Sequence, residues 1–105
     1  MDGTGADAGM TVVTIEGPRL DVAATPGFRK RMADLVEEGE RELLLDFSNV
    51  EFVDSSGLGA VVGLLKLVGR HGRVELTGLR PAVRKVFRLT RMDQVFPIHE
   101  IDGTG

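Results

Sequence analysis

The hexamer Asp54-Ser55-Ser56-Gly57-Leu58-Gly59 sets a carboxylate and two hydroxyls between an apolar run and a helix-like segment. Ser or Asp at such a junction accepts hydrogen bonds from the first helical N–H groups, which have no partner inside the helix. A hydroxyl on a glycine-bounded turn, beside the positive end of a helix dipole, is also a good place to add and hold a phosphate. A phosphoserine brings about 1.5 to 2 negative charges near neutral pH, and on either hydroxyl that charge would stand close to Asp54.

Other chemistries find little support. With no cysteine in the chain, disulfides and thiolate metal sites are excluded. His71 and His99 lie far apart and outside any metal-ligand spacing. A Gly-x-Ser-x-Gly elbow is missing, as is a phosphate-cradling Gly-x-x-x-x-Gly-Lys-Ser/Thr loop. The enzymatic alternative left is a weak nucleotidase built on Asp54 and Ser56. Arg80, Arg84, Arg88 and Arg91 recur at helical spacing with Lys85 alongside, which reads as a solvated face or as steering toward an acidic protein surface.

The elements that must position the hexamer are legible around it. At 105 residues the chain is sized for one domain, too short for a catalytic module plus a separate regulatory one. Apolar residues make up 42% and charged residues 28%, with a net charge of -3, so bulk attraction to nucleic acid is not expected. No secretory leader or membrane-spanning run is visible, which fits a cytoplasmic protein. Residues 1–9, rich in Gly, Asp and Ala, read as a mobile tail, residues 10–101 as the domain, and 102–105 as a C-terminal tail.

Within the domain, Thr11 to Glu16 reads as a β-branched strand closed by Gly17-Pro18, and Arg19 to Val22 as a short second one. Thr25-Pro26 starts a helix whose Phe28, Met32, Leu35 and Val36 share a buried face, and Gly39 ends it. Glu42 to Phe47 is a central strand, residues 55–69 a helix, Arg73 to Thr77 a strand, and Pro81 to about Thr90 a third helix. Val95 to Ile98 forms a last short strand, placed at an edge by Pro97. Strands alternating with helices predict an α/β fold with a mixed, mostly parallel sheet of four to five strands.

The helix after the hexamer is apolar nearly all round. Leu58, Val61, Val62, Leu65 and Val68 supply a buried stripe, while Leu64 and Leu67 leave apolar surface at other angles. Either the domain covers both sides, or the surface beside Ser56 is a patch for a partner. Gly59 and Gly63, four apart, predict close approach of another backbone on their face.

Leu43 to Asp46, Asn49 to Phe52 and Asp54 to Gly59 together resemble the signature of STAS domains, above all the stand-alone bacterial anti-sigma factor antagonists. Gly17 to Thr25 is similar to that family's early turn-strand-turn, and Thr77 to Val86 to its late strand and helix start, so the resemblance spans roughly residues 11 to 99. It implies a single STAS-like domain that binds an anti-sigma factor, itself a serine kinase, and so frees a sigma factor for transcription. Phosphorylation reverses that choice, and a serine phosphatase restores the free hydroxyl. Position by position, the resemblance implies Ser56 as the acceptor, with Ser55 the neighbouring hydroxyl and Asp54 the motif acid. Gly57, Leu58, Gly59, Leu64 and Leu67 complete the expected switch and partner surface. No cofactor, nucleic acid or membrane insertion is implied, since ATP belongs to the kinase. Arg80 and Arg91 stand where many relatives carry Ser and Gly, which leaves the third helix without its usual caps. The alternative of a different class is a STAS-like accessory subunit of a membrane lipid-transport ATPase complex, in which the hydroxyls would be structural.

Overall fold

A computed structural model of the protein describes residues 9–100. The tails expected at 1–9 and 102–105 lie outside that range, apart from Gly9. The β-branched start forms strand β1 (Thr11–Thr14), two residues shorter than expected, although the Ile15 amide still donates to the Asp46 carbonyl at 3.0 Å. Past Gly17-Pro18 the chain forms β2 (Arg19–Leu20) and helix α1 (Thr25–Glu37). The residue before α1 is Ala24, whose side chain makes no capping bond. Asp21 orders the turn that leads into it: its carboxylate accepts from the amides of Ala23 and Ala24 at 3.2 Å each, and its carbonyl accepts from Thr25 N at 2.9 Å. Gly39, at φ 105°, supplies the left-handed turn after the helix.

Next come β3 (Glu42–Asp46), β4 (Phe52–Val53) and helix α2 (Ser55–Val68). They are followed by β5 (Arg73–Thr77), helix α3 (Pro81–Leu89), a 3-10 turn at Met92–Gln94 and β6 (Ile98–His99). The sequence pattern missed β4, whose two residues exist as a strand only because β2 lies alongside. The last strand starts after Pro97 rather than at Val95, because the 3-10 turn occupies the approach and sends Phe96 into the interior, 1% exposed.

The four-stranded sheet runs β1-β3-β5-β6, with β2-β4 as a separate ribbon. Every pairing among the described strands is parallel, so the sheet expected to be mostly parallel is parallel throughout. Parallel neighbours cannot be joined by hairpins, and α1, α2 and α3 provide the crossovers. Strand β6 lies at the sheet edge, as Pro97 implied, and the Pro97 carbonyl still accepts from Leu76 N at 2.9 Å.

Alternation along the strands sends Val13, Leu43, Leu45, Val74 and Leu76 into the core, each at most 3% exposed. Helix α1 contributes Phe28, Met32 and Val36, and α2 contributes Ala60, Val61, Leu64 and Val68. Beneath α3, Phe87 meets Phe47 edge-on with ring centroids 5.7 Å apart, an arrangement that adds about 0.5–1.5 kcal/mol beyond the buried area.

Candidate functional site

The mouth of α2 is built by Asp54. Its backbone is extended, at φ -100° and ψ -173°, and its Oδ1 accepts the amide of Gly57 at 2.9 Å. The Asp54 carbonyl takes the Leu58 amide at 2.9 Å, starting the helix ladder. This is side-chain capping in the sense the sequence predicted, at a site where the cap is typically worth about 1 kcal/mol. The second oxygen, Oδ2, reaches out of the motif to accept the amide of Val22 at 3.2 Å. One carboxylate therefore ties the start of α2 to the loop between β2 and α1.

Ser55 is exposed and Ser56 half-buried on the first turn of α2. Among the described residues no hydrogen bond uses the amides of Ser55 or Ser56. A phosphate on either hydroxyl would therefore find donors and a favourable dipole close by, worth roughly 0.3–1 kcal/mol at an exposed site. Opposing it is the negative charge of Asp54, whose carboxylate is already engaged by two amides.

Gly57 is buried because β2 passes directly over it: a Cβ at this position would lie 2.0 Å from the Leu20 carbonyl oxygen. The close backbone approach expected at Gly59 and Gly63 is not found there, because β2 crosses α2 at Gly57 instead. Gly59 is exposed, and a Cβ there would meet nothing within 4 Å; at Gly63 it would meet only Arg29 Nη1, at 3.4 Å. Leu58 is half-buried against the core. Leu64, expected on the partner surface, is 1% exposed and belongs to the core, whereas Leu67 is 46% exposed. Turned by about 60° from Leu67 around a helix of 3.6 residues per turn, Leu64 points inward toward the sheet side.

Several residues at the site were not found from sequence. Arg19 lays its guanidinium over Phe52, with Cζ 4.3 Å from the ring centroid, and its Nε contacts Asp21 Oδ2 at 3.0 Å. The Arg19 hydrogen bond, followed by the amides of Ala24 and Ala23, holds the Asp21 carboxyl below its ordinary value against the opposing effect of desolvation. Phe52 is 41% exposed and Val22 69% exposed. They flank the motif as apolar surface that comes together through the parallel pairing of Arg19 with Phe52 and Leu20 with Val53. No local signal could have revealed a pairing between residues so far apart in the chain.

The clefts at Ile15 and Arg31, between α1 and α2, and at Arg84 and Glu100 have linings that exclude Asp54 and Ser56. Among the described residues no cluster of His, Asp and Glu could hold a metal, and no helix is long and apolar enough to cross a membrane.

Comparison with known proteins gives a consistent set. The STAS domain model matches residues 4–101. The anti-sigma-B factor antagonist of Staphylococcus aureus (strain NCTC 8325) is 26% identical over 85 residues, covering 80% of this chain and 79% of that protein. The crystal structure of an anti-sigma factor antagonist from Mycobacterium paratuberculosis superposes with a TM-score of 0.78 at 27% identity, over 87% of this chain and 77% of the other. The Bacillus cell fate determinant SpoIIAA in its phosphorylated form superposes with a TM-score of 0.68 at 26% identity, over 88% of this chain and 82% of the other.

Proposed function

Because the chain belongs to the STAS domain family, we propose that it is an anti-sigma factor antagonist switched by phosphorylation of Ser56. In this reading the unmodified protein binds an anti-sigma factor that is also a serine kinase, and a sigma factor is released. Transfer of a phosphoryl group to Ser56 ends the complex, and a serine phosphatase restores it. The chain is a substrate in this cycle and needs no cofactor of its own.

The observation that carries the reading is the placement of Ser56: half-buried on the first turn of α2, beside unused helix amides, and two residues after Asp54, whose carboxylate holds the amide of exposed Val22. The similarity to SpoIIAA, a protein known in a phosphorylated form, supports a fold that carries a phosphate. Energetically the switch is local. The helix terminus tolerates the added charge, so the fold survives modification. At a desolvated interface the same charge costs several kcal/mol, and about 2.7 kcal/mol already lowers affinity a hundredfold.

The test is incubation with candidate anti-sigma kinases and ATP, followed by mapping of the phosphate and measurement of binding. Phosphate on Ser56, with loss of kinase binding by Ser56→Asp and an unchanged circular-dichroism spectrum, is the expected result. Tight binding by Ser56→Asp, or unfolding on phosphorylation, overturns it.

A further inference from the structure

We propose that the groove between α1 and α2 is a second docking surface, one that takes an acidic amphipathic helix from a partner protein. Along α2 the groove runs from Ala60, four residues past Ser56 and about 6 Å along the helix, to Leu67, eleven residues past Ser56 and about 16 Å along at 1.5 Å per residue. The proposal does not depend on phosphorylation.

The groove has a volume of about 540 Å³, a size that admits several apolar side chains. Its floor is recessed and apolar: Phe28, Met32, Ala60 and Leu64 are each at most 7% exposed, and Leu67 stands at the lip at 46%. Small residues hold it open. Gly63 is the informative one, because a glycine inside a helix costs about 1 kcal/mol relative to alanine and its missing side chain leaves room beside the flexible end of Arg29, whose Nη1 would stand 3.4 Å from a Cβ there.

Charge selects the occupant. Arg29 on α1 and Lys66 on α2 stand on opposite walls, and the lining contains no acid. Several cations elsewhere are engaged by the domain itself, among them Arg31, which donates to the Thr14 carbonyl at 2.9 Å, Lys30, which pairs with Asp34 at 3.1 Å, and Arg84, which pairs with Glu100. Among the described residues neither Arg29 nor Lys66 forms an ion pair. A groove walled by two helices fits one face of a third, read as apolar anchors at three- and four-residue spacing, and the two cations call for acidic flanks. A lipid surface fits less well, since a plane meets the lip of a groove and leaves the floor unfilled.

The experiment measures binding of two labelled helical peptides of about 14 residues to the full chain by fluorescence anisotropy. Both carry Leu along one face, and their flanks are Glu in one and Lys in the other. The expected result is salt-sensitive binding of the Glu peptide alone. Affinity should fall about tenfold in Arg29→Glu/Lys66→Glu and in Gly63→Leu, and stay within about twofold in Ser56→Asp, which isolates this site from the kinase interface. Absence of binding, equal binding of the Lys peptide, or affinity unchanged in both groove variants overturns the proposal. So does charge-dependent binding of phosphatidylserine vesicles in place of the Glu peptide, which would make the surface a membrane contact.

Discussion

The carboxylate of Asp54 holds the backbone amide of Val22 at 3.2 Å while capping Gly57 at 2.9 Å. The motif acid is therefore both a helix cap and a clasp on the loop that leads into α1. Asp21 sits beside this clasp, held by Arg19, which in turn stacks on Phe52. The hydroxyls of Ser55 and Ser56 thus stand on a surface whose shape is set by residues from two distant stretches of chain.

Removing the clasp should loosen the site more than the fold. Asp54→Ala is expected to cost about 1–2 kcal/mol of stability, the loss of a side-chain cap. Amide exchange at Val22 and Gly57 should rise above that of the α2 interior. Equal acceleration throughout the domain would show that Asp54 is only a global stabiliser.

The two neighbouring glycines of the hexamer should respond in opposite ways. Gly57→Ala drives a methyl into the Leu20 carbonyl, 2.0 Å away, and should cost about 3 kcal/mol, the upper range of overpacking. Gly59 has open space around it, so Gly59→Ala should stabilise α2 by about 0.5–1 kcal/mol. Urea melts of the two variants check both signs.

Arg91 adopts φ 63°, the left-handed region, directly before the 3-10 turn. A side chain there costs about 1–2 kcal/mol, and glycine's extra freedom in the unfolded chain returns about 0.5–1 kcal/mol of that. Arg91→Gly should therefore be more stable by roughly 0.5–1 kcal/mol. A melting temperature lower than that of the parent protein would count against strain at this position.

Stability should fall at acid pH in part through Asp21. Its carboxyl is held below the usual range by the Arg19 hydrogen bond first, and by the amides of Ala24 and Ala23. A group depressed in the folded state stabilises fully above its unfolded value, and that contribution is lost as pH falls through the lower folded value. Asp21→Asn should therefore flatten the acid limb of the stability profile relative to the parent and converge with it at the lowest pH. Parallel profiles across the whole range would refute the assignment.

Much of this protein is written locally. The order of strands and helices follows from β-branched runs, from Thr25-Pro26 and Pro81 at helix starts, and from Gly39 at a helix end. The hexamer marks the mouth of α2 because a cap must lie next to the helix it caps. Leu64 and Leu67 show where local reading stops. On a helix that is apolar nearly all round, the pattern does not say which side meets the sheet, and only packing put Leu64 at 1% exposure and Leu67 at 46%. The same holds for Gly57, whose lack of a side chain is needed only because β2 crosses it, and for β4, which exists only as the partner of β2. Composition and periodicity determined what kinds of element form and where the hydroxyls stand in the chain. Contacts between residues some thirty positions apart decided which neighbours surround them, because such contacts depend on how the crossovers fold back and leave no trace in any short stretch of sequence.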